Sequence, residues 1–305
     1  MVDNQVKNTV NILDIGLLVL AYNRPEMLRR RIEELLHVDV CNLYISIDGG
    51  ANSHTAEMED TKNFAKLVLK KTKNFNLKHH KDNLGMVKHV TQEISNVLVS
   101  HKYIIVIEDD VVLTSNFIAN MIHGFNLQNQ MGLNGIISGW SPLHSNELSN
   151  KWRVTMYPFL WGWGCSNKVW EGYNYDLTKT EIEKQLEESN IWSTFSSYQK
   201  SKWLQIFKKA QHDPQWTWDA QLFFLLLRKN CENMSPIFSI TGNEGFEDVR
   251  ATHTKDAKPR SINNKKLNNT LFFRLTKFSK LIQIADKIFL ADLKLVNKLI
   301  KFIKS

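Results

Sequence analysis

Glu108, Asp109 and Asp110 stand side by side in YIIVIEDDVVLTSNF (residues 103–117), between five strand-like apolar residues and a second apolar run, Val111, Val112 and Leu113. Two unit charges about 4 Å apart repel by roughly 4 kcal/mol at an effective dielectric near 20. Three adjacent carboxylates at the end of an apolar run therefore need compensation. A hard divalent cation, Mg2+ or Mn2+, supplies it, because such ions prefer carboxylate oxygen and bridge on to substrate phosphates. A solvated acidic turn is the plainer reading of the same three residues.

The elements that must position this triplet alternate along the first half of the chain. IGLLVLAY (15–22) reads as a buried strand, and RPEMLRRRIEELL (24–36) as a helix with Pro25 in its first turn. NLYISID (42–48), FNLKHH (75–80) and YIIVI (103–107) read as further strands, separated by helical patterns over 54–71 and 85–100. Strand and helix alternating in this way predict an α/β fold, a parallel sheet with helices on both faces. Such sheets bind ligands beyond the carboxyl ends of their strands. Asn23, Arg24, Asp48, Asp82, Asn83 and the triplet all fall there. From residue 135 the texture changes, and the tryptophans gather between 140 and 218. They imply a second half-sheet with loops shaped for a ring-bearing or sugar substrate, beside ordinary core packing. Residues 177–192 and 195–210 read as surface helices, and RSINNKKLNNT (260–270) as a linker.

The order AYNRP, ISID, DNLG and VIEDDVVL resembles the nucleotide-sugar-dependent glycosyltransferases of the GT-A fold. It is most similar to the branch containing eukaryotic N-acetylglucosaminyltransferase I and to related bacterial surface-glycan transferases. The resemblance continues through WGWGCSNKVW, TWDAQLF and GFEDVRATHT, and covers about residues 14–254. It implies a GT-A (Rossmann-like) mixed, mainly parallel sheet with flanking helices. It also implies metal-dependent, inverting transfer of a hexosyl or N-acetylhexosaminyl group from a nucleotide-diphosphate donor, a UDP-sugar, to a glycan or lipid-linked acceptor in surface polysaccharide synthesis. Carried over by position, Asp110 binds Mn2+ or Mg2+ directly, and His253 is a second group for metal or diphosphate. Glu108 and Asp109 orient ribose, metal waters or sugar, and Asp48 faces base or ribose. Asn23, Arg24 and Lys88 contact base or diphosphate. Asp219 takes the acceptor hydroxyl's proton, and Trp161, Gly162, Trp163, Gly164 and Trp218 form the wall where donor sugar meets acceptor. Plainer readings stay beside these: helix N-terminal charges for Arg24 and Asp219, an exposed helix position for Lys88, a turn for Asp48 and a loop for His253. TGNEGFEDVR, with Gly242 and Gly245, reads as a mobile lid over the donor.

The net charge of +8 sits at one end: residues 255–305 carry thirteen Lys or Arg against three Asp. Residues 1–262 are read as the catalytic domain and 263–305 as linker and basic amphipathic tail. Lysines interrupt the tail's apolar runs, so it falls short of the about 20 apolar residues that span a bilayer. A helix lying on an anionic membrane surface fits, as does one pairing with a second subunit in an oligomer. A near-neutral body disfavours a nucleic-acid binder. Cys41, Cys165 and Cys231 form no C-x-x-C pair, and MVDNQVKNTVNILD has no basic-then-apolar leader. Both point to the cytoplasm, and the tail to a peripheral place on the inner face of the cell membrane. The competing classes are an inactive glycan-binding scaffold and a sugar nucleotidyltransferase. The latter would place a glycine-rich basic loop after the first strand, where this chain has AYNRPEM.

Overall fold

The computed structural model describes residues 9–38, 40–70, 72–141 and 151–245. Strand β1 (Ile15–Ala21) is buried along its whole length. Leu18 and Leu20 enter one hydrophobic core while Leu17, Val19 and Ala21 enter another, as the two-residue period of a strand covered on both faces requires. Helix α1 (Pro25–Leu35) follows, with Pro25 in its first turn. Strand β2 (Asn42–Ile47), helix α2 (Ala56–Val68), strand β3 (Asn74–His79), helix α3 (Met86–Leu98) and strand β4 (Tyr103–Glu108) complete a parallel half. Thr55 caps α2 by accepting from the Met58 amide.

The second half comprises β5 (Val111–Leu113), α4 (Phe117–Gln130), β6 (Ile137–Ser138), β7 (Trp152–Thr155) and β8 (Trp163–Ser166). The short helices α5 (Asn167–Trp170), α6 (Ile182–Glu187) and α7 (Asn190–Ser193) come next. Then follow α8 (Ser197–His212), α9 (Asp219–Arg228), β9 (Asn233–Pro236) and β10 (Thr241–Asn243). A capping box between Ser196 and Gln199 opens α8.

Among the described residues the main sheet runs β3-β2-β1-β4-β8-β6-β9-β7. Strands β1 to β4 are mutually parallel, and β8 lies antiparallel to β4. This is the mixed, mainly parallel α/β sheet expected of a GT-A (Rossmann-like) fold. Helices α1, α2 and α4 contribute to one core through Leu28, Ile32, Met58, Ala65, Phe117 and Met121. Helices α3, α8 and α9 contribute to the other through Val90, Ile94, Phe207 and Phe223.

The tryptophans correct an expectation. Trp140, Trp163, Trp170, Trp192 and Trp218 are buried in the core beneath α3, α8 and α9, and Trp161, Trp203 and Trp216 pack against it. The indole's large apolar area fills this thick layer, so most of these rings are interior packing rather than loop surface for a sugar.

The chain builds outward from β1 to β2 and β3, then returns to place β4 on the opposite side of β1. The carboxyl ends of β1 and β4 thus flank a topological switch point. Immediately after Asp109 and Asp110, β5 leaves the main sheet and pairs antiparallel with β10, Val111 opposite Asn243. The start of the segment expected to be a lid is therefore a paired strand. His253, the 260–270 linker, the boundary at 262 and the basic tail lie outside the described residues. Among the described residues no helix is long and apolar enough to cross a membrane.

Candidate active site

Arg24 leaves the end of β1 at the N-cap of α1 and reaches across the switch point. Its Nη2 pairs with Asp109 Oδ1, and its Nη1 lies 3.0 Å from Asp110 Oδ2. The compensation expected from a cation is thus supplied in part by Arg24, whose guanidinium is engaged by carboxylates and not held out for a diphosphate. Burial by itself would lower the Arg24 pKa, but Asp109 and Asp110 outweigh it and the net shift is upward.

The three carboxyls differ. Asp109 is 1% exposed, and its Oδ2 is buried without a hydrogen-bond partner. Burial raises its pKa against the pull of Arg24. Glu108, the last residue of β4, is pushed up to about 8 by burial and then by the charges of Asp110 and Asp109, with Asp219 adding to the rise. Asp110 is the best held: its Oδ1 accepts from Asn243 Nδ2 at 3.2 Å, and its carbonyl accepts from the Glu244 amide at 2.9 Å. A Cβ on Gly245 would lie 2.4 Å from Asp110 Oδ2 and 3.1 Å from Arg24 Nη1, so a larger residue here would push this ion pair aside.

Behind this turn, Arg31 is 1% exposed and donates from Nη1 to the Val111 carbonyl at 2.6 Å. It also pairs with Glu34 at 3.0 Å and with Glu244 at 3.2 Å, locking the β5–β10 ribbon to α1. Asn243, Glu244, Gly245 and Arg31 were not singled out as a support for Asp110. The one signal in the sequence was the polar stretch TGNEG, which reads equally as a mobile segment.

The donor set fits a hard divalent ion: Asp109 and Asp110 offer carboxylate oxygen, and Asp109 Oδ2 is a buried acceptor without a donor. Arg24 lies among these groups, so they do not form a closed protein cage. One or two protein carboxylates completed by phosphate and water is the habit of Mg2+.

Asp48 takes a different place from the one expected. It is 4% exposed, and its Oδ1 accepts from the amides of Gly49 and Leu84, both at 2.8 Å, while Oδ2 accepts from Gly85 at 3.1 Å. It ties the end of β2 to the loop before α3, and its acceptors are turned to backbone and not toward a base or ribose. Lys88 is exposed in the first turn of α3, and Asn23, just before Arg24, is half-buried.

Asp219 opens α9 and is exposed. Its Oδ1 accepts from Thr217 Oγ1 and, at 2.7 Å, from the Ala220 amide. Its charge raises the pKa of both Glu108 and Tyr173. The charge at the start of α9 thus reaches Glu108 at the end of β4. Of the expected wall, Trp163 is 1% exposed and stacks on buried Trp218 with ring centroids 5.7 Å apart, so both belong to the core. Gly164 admits the β4 backbone, since a Cβ there would meet the Ile104 carbonyl at 2.4 Å. Gly162 has φ +65° and packs against Thr241. Trp161 keeps some exposure, and its carbonyl accepts from Thr241 Oγ1 at 2.7 Å.

No protein-family model and no curated protein matches the chain. Among solved structures, the chain is similar to a mannosyltransferase from Pyrobaculum calidifontis in complex with GDP-Man and Mn2+, with 9% identity and a TM-score of 0.40. That match covers 52% of this chain and 46% of the mannosyltransferase, about half its length. A UDP-glucose pyrophosphorylase complexed with UDP-glucose is similar at 10% identity and a TM-score of 0.37, covering 74% of this chain and 91% of that one.

Proposed function

We propose that the chain is a metal-dependent, inverting glycosyltransferase acting from a nucleotide-diphosphate sugar, a UDP-hexose or UDP-N-acetylhexosamine, on a hydroxyl of a glycan or lipid-linked acceptor. The observation that carries this reading is the gathering of Arg24, Asp109 and Asp110 at the switch point between the carboxyl ends of β1 and β4. The carboxylates Asp110 and Asp109 would hold Mn2+ or Mg2+, which when bound supplies Lewis-acid stabilisation of the leaving diphosphate. Asp219 accepts the acceptor hydroxyl's proton, with Thr217 and the Ala220 amide fixing Oδ1. Glu108 orients ribose, metal waters or the sugar of the donor, while Arg24 neutralises Asp109 and Asp110 until the donor arrives. His253 is the proposed second group for metal or diphosphate. The basic tail carries the enzyme to the anionic inner face of the membrane, where surface polysaccharide is assembled.

The glycosyltransferase reading is preferred to a nucleotidyltransferase because α1 begins at Pro25, directly after Arg24, leaving no glycine-rich phosphate loop after β1. A screen of nucleotide sugars for hydrolysis and transfer with Mn2+ or Mg2+ tests the proposal. Asp219→Asn should lose 10²- to 10⁴-fold in transfer rate, and Asp110→Ala should lose its metal response. Wild-type transfer by the Asp219→Asn protein refutes the base assignment, and activity surviving a chelator refutes the metal. Liposome flotation of the full-length chain against residues 1–262 tests the tail, and equal flotation removes it from the proposal.

A further inference from the structure

Away from this crevice, at the outer edge of the sheet, His54, Glu59 and His79 bring one ligand atom each within 4.8 Å of one another. His54 precedes the N-cap of α2, Glu59 lies in its first turn, and His79 ends β3. The two imidazoles stack with centroids 4.0 Å apart.

The hydrogen bonds fix which nitrogen of each ring is available. His54 Nε2 lies 3.0 Å from the His80 carbonyl and 3.2 Å from that of Lys81. Carbonyls only accept, so Nε2 carries the proton and Nδ1 of the neutral ring keeps its lone pair. Ser53 Oγ donates to the Gly50 carbonyl at 3.0 Å, so it accepts from His79 Nε2 at 3.2 Å. His79 Nδ1 therefore also presents a lone pair. That atom is buried with no hydrogen-bond partner, on a side chain only 5% exposed, and it faces Glu59 Oε1 at 4.0 Å. An orphaned buried acceptor aimed at a carboxylate beside a second imidazole nitrogen lacks one thing, a cation.

We infer that His54 Nδ1, His79 Nδ1 and Glu59 form a binding site for a borderline divalent ion, Zn2+, separate from the carboxylate crevice. Two histidines and a carboxylate are a zinc ligand set that leaves a fourth position for water. Each histidine has the outer hydrogen bond, to a carbonyl or hydroxyl, that orients such ligands. Tetrahedral ligands at about 2.05 Å stand about 3.3 Å apart, so the 4.0 Å gap must close slightly. The exposed His54 ring and Glu59 side chain can move to do so. One competitor is present: Lys62 Nζ lies 2.6 Å from Glu59 Oε1, and the ion must displace it. The site is about three strand spacings, roughly 14 Å, from the end of β4. His79 pairs with Ile47, next to Asp48, so a bound ion would tie α2, β3 and the Asp48 loop together.

The test uses the full-length chain, free of any affinity tag, in excess Mg2+ so that hard-ion sites are filled. Zn2+ is titrated against a chromophoric chelator, and Co2+ binding is followed by visible ligand-field absorption. One equivalent should bind, persist in Asp110→Ala, and weaken at least tenfold in both His54→Ala and Glu59→Gln, whose side chains are exposed and whose folding is checked by their urea midpoints. Wild-type affinity in either of these two variants, or loss of the equivalent in Asp110→Ala, overturns the site.

Discussion

Arg24→Met tests the electrostatic account of the crevice most directly. The substitution keeps an apolar stem and removes a guanidinium that pairs with two carboxylates, one 1% and one 15% exposed. At 3 Å and an effective dielectric near 20, each pair is worth about 5 kcal/mol of attraction before desolvation. Removing one partner of a buried pair costs about 3–5 kcal/mol, because the other charge is left behind. Asp109 can relieve part of this by taking up a proton, so a net loss of about 3 kcal/mol is expected at pH 8. The sign of its pH dependence follows. Arg24 holds the Asp109 pKa down against burial. Without it the folded pKa rises further above the unfolded value, and a carboxyl so raised withdraws stability as pH rises. The loss should therefore shrink toward about 1 kcal/mol at pH 5, where Asp109, raised to about 7 even beside Arg24, is protonated in both proteins. Urea unfolding at the two pH values, with a chelator and then with Mn2+, measures this. Mn2+ should stabilise the variant more than the wild type, since the ion replaces the missing charge. A loss below about 1 kcal/mol at pH 8, or an equal loss at both pH values, refutes the reasoning.

Asp48→Asn keeps one acceptor oxygen and turns an amide NH2 toward backbone donors, so about 2–3 kcal/mol of stability should be lost; urea midpoints decide it, and an unchanged midpoint would return Asp48 to a ligand-facing role. Glu108 has a folded pKa of about 8 against an ordinary 4.5. The wild type should thus lose stability as pH rises from 4.5 through 8, and Glu108→Gln should flatten that limb by a few kcal/mol, roughly. His89, bonded to Ser46 at 2.9 Å, is held down to about 4 by burial. Its contribution is complete above the unfolded value of 6.5 and is lost as pH falls toward 4. His89→Gln should remove up to about 3 kcal/mol of acid sensitivity in chemical-denaturation curves.

The parallel half of the fold was legible because each strand is a short apolar run bounded by polar punctuation. Helix α1 follows β1 with only Tyr22, Asn23 and Arg24 between them, and β4 stops where the carboxylates begin. The positions of Arg24, Asp48 and the triplet at strand ends could be read from that punctuation alone. Their partners could not. The Arg24 ion pairs join residues brought together by the return of the chain to β4, and no local pattern encodes that register. Strands β5 and β10 have three residues each, too short for alternation to distinguish them from loop, so TGNEG read as a lid. The tryptophans were ambiguous in kind: an indole satisfies a core and a sugar platform equally well, and only burial separates the two.

That burial bears on the chemistry. Trp163 lies on β8 opposite Val106 of β4, the strand that ends in Glu108. Its ring stacks on Trp218, the N-cap of α9, whose carbonyl accepts from Tyr173 OH at 3.0 Å. The residue after Trp218 is Asp219. A single aromatic stack thus connects the strand carrying the proposed donor site to the helix start carrying the proposed base. A base must sit within hydrogen-bond reach of the proton it removes, and a small displacement of a reacting group is expensive in rate. Close-packed rings in low-energy rotamers resist such displacement better than a loop does. On the proposed function, the indoles that withdraw from the surface would serve sugar transfer without touching a sugar, by fixing the separation between Asp219 and the end of β4.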